Sequence, residues 1–384
     1  METDYLLTPG PTPLPPQVRE ALGRQIIHHR TSQYRAIFKR VLHGMQTVMQ
    51  TANPVVCLTS SGTGAMEAAV VNLLSPGETA LVILGGKFAE RWQELCNAYG
   101  ITVVTVPVAY GEAVDPRAVE QVLQAHPAAK VVFTTLLETS TGIVNDLRAI
   151  AGITRSSNAV LVVDAISGLC AEECRTDAWG IDVLVTGSQK GLMLPPGLAF
   201  LSLSARAWKL AEQSRSPRYY YDLRLSRKAL ADDDTPFTSA VSLVIALDEA
   251  LKLILAEGID RTVERCAHVG RATRAGMQAL GLELFAQRPA NGVTAVKVPS
   301  HMDGKQLTKV MYERSRVMVA GGQGQMAGKI FRFAHMGYIG ADDVLAGFRA
   351  LEQALGELGY PVISGAGTKA AQTILDTRTP VGAQ

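Results

Sequence analysis

IDVLVTGSQKGLMLPPGLAFLSLS, residues 181–204, sets one lysine between two runs of apolar β-forming residues. Ile181 to Val185 and Leu198 to Leu203 lack the polar alternation of a strand with one wet face, so both read as strands buried on two sides. Gly187, Gly191, Pro195, Pro196 and Gly197 turn the chain between them. Within residues 185–200, Lys190 is the only charged side chain. A lysine at such a junction either reaches solvent along its aliphatic stem or loses its hydration and shifts toward the neutral amine. A neutral amine is a nucleophile for aldehydes.

The same texture extends outward from this stretch. VVCLTS (55–60), TALVIL (79–84), ITVVTV (101–106), KVVFTTL (130–136) and AVLVVDA (159–165) read as further buried strands. Helical segments alternate with them: Gly64 to Leu74, Phe88 to Tyr99, Pro116 to Ala125, and a stretch around Leu147 to Ser156. The alternation predicts an α/β fold with a mainly parallel sheet and helices on both faces. A long helix from about Ser239 to Glu257 leads to a second region. There Val263 to Leu280, Gly304 to Ser315 and Ala341 to Leu358 read as helices, with LELFA, VTAVKV and KIFRFAHM as strands. That mixture predicts a small α+β domain. The last two dozen residues have little apolar periodicity and read as a loose tail.

Composition narrows the class. The chain has 384 residues, 47% of them hydrophobic and 19% charged, within the range of soluble globular proteins. The net charge of +2 is spread along the chain and gives no case for nucleic acid or a membrane surface. The apolar runs are too short to span a bilayer. METDYLLTPGPTP lacks a basic start and an apolar signal core, so a cytoplasmic location is expected. Five scattered cysteines, Cys57, Cys96, Cys170, Cys174 and Cys266, fit a reducing compartment. Cys170 and Cys174 have the spacing of half a metal site, but no second Cys or His pair follows, and no metal is expected. The basic triplet His28-His29-Arg30 is either an entrance lining or plain surface.

Ligands of open α/β sheets bind beyond the carboxyl ends of the strands, and four features fall there. SSGTGAMEAA (60–69) follows a strand and opens a helix, with small residues that let backbone N–H groups approach an anion. It is neither a Walker loop nor a full GxGxxG fingerprint. Asp164 closes AVLVVDA, where a carboxylate after five apolar residues is costly to bury unless paired; a helix cap is the alternative. ETSTG (138–142) offers hydroxyls at a strand end or is an ordinary turn. Gln189-Lys190 is the fourth. A phosphate cradle, a buried acid and a lysine amine together match the needs of pyridoxal phosphate: an imine partner for its aldehyde and an acid for its ring nitrogen. Arg332, alternating with Phe331 and Phe333 in KIFRFAHM, is placed opposite those aromatics by the period of a strand.

LLTPGPTPLPP, SGTGAMEAA, GGKFAERW, ETSTG, VVDAISGL, TGSQKGLMLPPG, TPFTSAVSL and GGQGQMAGKIFRFAHMGY occur in this order. In these blocks the chain resembles the class V aminotransferases of the pyridoxal-phosphate fold type I superfamily, of the alanine–glyoxylate and serine–glyoxylate kind. The resemblance runs over roughly residues 5–358 and implies a large domain built on a seven-stranded sheet. It implies an N-terminal arm (1–16) packing with the small domain and the site, a large cofactor-binding domain (17–260), a small domain (261–360) and the tail (361–384). It implies that Lys190 is the Schiff-base residue and general base, and that Asp164 pairs with the ring nitrogen. Thr63, Gly64 and Ala65 would hold the phosphate, Ala65 through its backbone alone, and Gln189 would reach it. Phe88 would stack on the ring, Ile166 pack under it, and Thr139 sit near its phenolic oxygen. Thr235 and Thr238 would reach the phosphate of a neighbouring subunit in a homodimer. Arg332 would clamp the substrate carboxylate, beside Gly10. The implied reaction is transamination between alanine or serine and glyoxylate or pyruvate. Aspartate or an aminophosphonate as donor, a lyase reaction, and a non-catalytic binding subunit are the alternatives.

Overall fold

The computed structural model describes residues 4–377. Fourteen strands and fourteen helices are assigned among them. The arm contributes β1 (Tyr5–Leu6), followed by α1 (Pro16–Leu22) and α2 (Ser32–Val48). The large domain then runs through β2 (Val55–Ser60), α3 (Gly62–Leu73), β3 (Thr79–Leu84), α4 (Lys87–Ala98), β4 (Thr102–Pro107), α5 (Pro116–Ala125) and β5 (Ala129–Thr135). A short hairpin, β6 (Leu137–Glu138) with β7 (Ile143–Val144), precedes α6 (Leu147–Arg155). β8 (Val160–Asp164), α7 (Thr176–Trp179), β9 (Val183–Gly187), β10 (Gly197–Leu203), α8 (Ala205–Gln213), α9 (Leu223–Leu230) and α10 (Val241–Glu257) complete it. The second region comprises α11 (Ile259–Ala279), β11 (Val293–Lys297), α12 (Gly304–Ser315), β12 (Val317–Met318), β13 (Ala320–Gly321), β14 (Ile330–Ala334), α13 (Ala341–Glu357) and α14 (Ala366–Leu375).

The main sheet has seven strands in the order β2-β10-β9-β8-β5-β3-β4. Only β10 runs against its neighbours. The apolar runs cover both faces in alternation. Val160 and Val162 face one core with Trp92 and Met66, whereas Leu161 and Val163 face the other with Phe38 and Leu247. This is why these strands carry no polar period. Trp92 of α4 stacks on Phe133 of β5 with ring centres 4.5 Å apart. Helix starts are marked by local chemistry: Asp115, Asp146 and Asp303 each accept a hydrogen bond from a first-turn N–H of α5, α6 and α12.

A third core lies in the second region, where Phe331, Phe333, Phe348 and Leu351 pack together with Leu7 of the arm. β1 pairs in parallel with β12, Tyr5 opposite Val317. The Leu7 carbonyl then accepts from Ala334 N at 2.9 Å.

Two expectations are corrected. LELFA is not a strand: only Leu284 forms a bridge, to Val296. The loose tail does not hold for residues 366–375, which form α14 with Ala371 fully buried. Buried Glu352 of α13 accepts from Gly365 N at 2.8 Å and from Thr368 N at 2.9 Å, so the start of α14 is capped by another helix. Residues 378–384 lie outside the described residues. α2 was not anticipated at all, although Tyr34, Phe38, Val41, Met45 and Val48 mark its buried stripe. Among the described residues no helix is long and apolar enough to cross a membrane.

Candidate active site

Lys190 sits in the turn between β9 and β10 and is 8% exposed. Its amine donates to the carbonyl of Pro9 in the arm. Burial pushes the amine down to about 8, with help from the positive charges of Arg332 and Arg91 and against the pull of Asp164. The arm also grips the backbone on either side. Thr12 N donates to the Gln189 carbonyl at 3.2 Å, and Thr12 Oγ1 to the Lys190 carbonyl at 3.0 Å. Gly10 leaves the space that the lysine side chain fills.

Asp164 ends β8, opposite Thr135 of β5 and Val185 of β9. One carboxylate oxygen accepts from Ile166 N at 2.8 Å; among the described residues no donor reaches the other. Burial raises this carboxyl to about 7, opposed by the Ile166 N–H and by the charges of Lys190 and Arg91. Asp164 and Lys190 each act on the other's charge, so the two side chains share one electrostatic environment.

The start of α3 forms one wall. Gly64 has no room for a side chain, because a Cβ would stand 2.0 Å from Ser60 Oγ and 2.4 Å from the Tyr221 hydroxyl. The N–H groups of Gly64 and Ala65 turn back to the Ser61 carbonyl at 3.0 and 3.4 Å. The open backbone donors among the described residues are therefore those of Gly62 and Thr63; of the three residues the resemblance implied, Thr63 keeps a free N–H, whereas those of Gly64 and Ala65 are used within the helix. Ile166 packs against Gly62, where a Cβ would meet its Cδ1 at 2.4 Å. Gln189 Oε1 is buried and has no hydrogen-bond partner. Such an atom is costly unless something supplies a donor.

The opposite wall is the start of α4 and the hairpin β6–β7. Phe88 lies in the first turn of α4. Its N–H points at Glu138 Oε1 at 3.4 Å, while Ala89 N donates to Oε2 at 2.9 Å and Ser140 donates through N and Oγ at 3.0 and 2.6 Å. Glu138 is almost fully buried, and burial raises its pKa despite these donors. Thr139 donates through Oγ1 to Ser167 Oγ at 2.5 Å.

Arg332 projects from β14 into this region and is buried. Its Nε and Nη2 both donate to the Gly321 carbonyl, at 3.0 and 2.8 Å, and Nη1 to the Thr139 carbonyl at 3.0 Å. A guanidinium has five N–H donors, so one remains on each terminal nitrogen. Burial brings its pKa down to about 10, with the Glu138 charge opposing the shift.

Thr235 and Thr238 are not joined to Lys190 or Asp164 by any hydrogen bond among the described residues. They line a separate recess with Thr59, Tyr220 and Phe237. Arg30 ties that loop down, donating to the Thr235 carbonyl at 2.8 Å and pairing with Asp234 at 2.6 Å. This places one member of the basic triplet beside the Thr235 loop. Sequence reasoning gave no role to Glu138, although it stood in the quoted ETSTG, nor to Arg91, although it stood in the quoted GGKFAERW.

These groups suit pyridoxal phosphate: a depressed lysine amine for its aldehyde, a buried carboxyl with a free oxygen for its protonated ring nitrogen, and an open helix start for its phosphate. Gln189, whose Oε1 is without a partner, could turn only its amide NH2 toward a phosphate oxygen. The seven-stranded sheet, with Lys190 just beyond β9 and Asp164 as the last residue of β8, defines a fold type I pyridoxal-phosphate enzyme. Residues 4–337 match the family model described as aminotransferase class-V, and the chain belongs to that family. It is similar to the L-aspartate–glyoxylate aminotransferase of Paracoccus denitrificans, 35% identical over 375 residues, covering 96% of this chain and 95% of that protein. It is also similar to a Synechococcus protein named soluble hydrogenase, small subunit, 41% identical over 97% of this chain and 98% of that one. Among solved structures, the pyridoxamine–pyruvate aminotransferase of Mesorhizobium loti superposes with a TM-score of 0.93 at 30% identity, covering 98% of both chains.

Proposed function

We propose that this aminotransferase exchanges an amino group between a small amino acid, alanine or serine, and a small 2-oxo acid, glyoxylate or pyruvate, by alternating half-reactions. The observation that carries the reading is the placement of Asp164 and Lys190 at the carboxyl ends of the neighbouring strands β8 and β9, both buried, with the lysine amine held by the Pro9 carbonyl of the arm.

The bound cofactor supplies an electrophilic aldehyde and a ring that accepts electrons from the donor's Cα. Lys190 would hold the cofactor through its amine, and that amine, when free, would serve as the base for the proton on the donor's Cα. Asp164 would pair with the ring nitrogen and favour its protonated form. The free N–H groups of Arg332 bind the substrate carboxylate as a pair. Pro9 and Gly10 shield the amine from water. The N–H groups of Gly62 and Thr63, the Thr63 hydroxyl and the Gln189 amide NH2 would serve the phosphate. Phe88 and Ile166 would bound the ring, and Thr139 would serve its phenolic oxygen.

The active form in this reading is a homodimer, in which Thr235 and Thr238 serve the site of a second copy. Support comes from Tyr219, 76% exposed, and Tyr220, stacked on Phe237 beside that loop. All five cysteines are free and buried, which supports a cytoplasmic location. Aspartate as donor is a second reading, favoured by the P. denitrificans relative. The cofactor-loaded protein tests these assignments. Alanine, serine and aspartate are each mixed with it in single half-reactions, and the loss of the visible band is followed. Fast bleaching by alanine or serine supports the first reading, and by aspartate alone the second. Lys190→Ala should bind cofactor without turning over. Wild-type rates in that variant would remove the lysine from the mechanism.

A further inference from the structure

Arg91 follows Phe88 by three positions in α4. Its guanidinium carbon stands 5.1 Å from the centre of the Phe88 ring. Its Nη1 donates to Thr63 Oγ1, in the first turn of α3, at 3.0 Å. No carboxylate lies within ion-pair distance of it among the described residues. A half-buried cation is thus committed to a ring and a hydroxyl.

The two groups it joins come from distant parts of the sheet. Thr63 follows β2 and Phe88 follows β3, and β10, β9, β8 and β5 lie between those strands. Small errors in the spacing of α3 and α4 would therefore alter the distance between the open helix start and the phenyl face. A cation over an aromatic ring is attracted by its quadrupole, the more so when desolvated. A hydrogen bond from a charged donor is stronger than one between neutral groups. Together they favour one relative placement of the two walls.

We propose that Arg91 is a positioning residue of the cofactor seat: by bracing the Thr63 hydroxyl and the Phe88 ring, it holds the phosphate end and the ring end at a fixed separation. The proposal rests on the pyridoxal-phosphate reading of the site. Arg91 acts through Thr63 and Phe88. Its charge also bears on Lys190, which faces Asp164 from β8, Arg332 from β14 and Arg91 from α4.

The test uses cofactor affinity and ring orientation. Apoprotein made from the loaded enzyme is titrated with pyridoxal phosphate, and the visible circular dichroism of the bound cofactor is recorded at saturation. Arg91→Met should weaken binding by about tenfold, a factor worth 1.4 kcal/mol, and should reduce the dichroism. Arg91→Lys, which keeps a cation and a donor, should recover most of both. Combined with Thr63→Val, the loss should fall short of the product of the single losses, because the two side chains act as one unit. The apoprotein of Arg91→Met should melt close to wild type. Wild-type affinity and dichroism in Arg91→Met, losses that multiply in full, or a loss explained by a melted apoprotein would each overturn the proposal. A wild-type protein that takes up no cofactor would overturn the site reading itself, and this proposal with it.

Discussion

Gly10 is pressed against Lys190: a Cβ built on Gly10 would lie 2.5 Å from the lysine Cδ and Cε and 2.6 Å from Nζ. Its φ of +126° is also a conformation that side-chain-bearing residues rarely adopt. The arm therefore closes over the amine only because position 10 has no side chain. Gly10→Ala should cost about 1–3 kcal/mol if the arm stays in place. It should also cut the rate of the donor half-reaction at least about tenfold, by displacing the lysine. Stopped-flow absorbance on the loaded variant measures this; an unchanged rate would show that the arm is dispensable.

Arg332 offers a second test. Two backbone carbonyls hold its fork, and a lysine cannot satisfy Gly321 and Thr139 while presenting paired donors. Arg332→Lys should lower the second-order constant for every carboxylate-bearing donor by about 100-fold, corresponding to one or two charged hydrogen bonds. Cofactor affinity should stay as in wild type. A variant that discriminated among donors, or lost its cofactor, would place the arginine elsewhere in the chemistry.

Proton occupancy of Lys190 predicts a pH profile for the apoprotein. Only the neutral amine attacks an aldehyde. Burial, Arg332 and Arg91 bring its pKa from 10.5 to about 8. The rate of pyridoxal phosphate capture should therefore rise with pH and level off above a midpoint near 8. A midpoint near that of an exposed lysine would mean that the amine is solvated.

Glu138 supplies the last prediction. It accepts from Phe88 N, Ala89 N and Ser140, and in Glu138→Gln one of those backbone donors would face an amide NH2 instead. The loss should be about 1–3 kcal/mol of stability, read by denaturant unfolding, with weaker cofactor binding as the start of α4 relaxes. The double mutant with Arg91→Met would show whether both work through Phe88.

Much of this architecture was legible because of what burial on two faces does to composition. Val160 to Val163 have neighbours on both sides of the sheet, and an unbroken apolar run announces that directly. Lys190 and Asp164 were visible for the complementary reason: each is an isolated charge at the end of such a run. Arg91 and Glu138 were not, since each sits in a segment where charge or turn chemistry is ordinary. Their partners, Thr63 and the α4 amides, lie 28 and about 50 positions away in the chain. α14 escaped for a related reason. Its cap comes from Glu352 on another helix, so no local start signal precedes Ala366. LELFA has strand composition, but it makes a single bridge to β11, Leu284 opposite Val296, through the bonds Phe285 N to Ala295 O and Lys297 N to Glu283 O.

The pairing of Tyr5 with Val317 also governs the order of assembly on the ribosome. The arm emerges first, yet β12 and Ala334, to which it bonds, are made more than 300 residues later. Until then the bonds of Pro9 and Thr12 to the turn bearing Lys190 are the arm's hold on that site, without the strand pairing that anchors its start. Anchoring of the arm is thus a long-range closure, made by pairing the strand at residues 5–6 with one at residues 317–318.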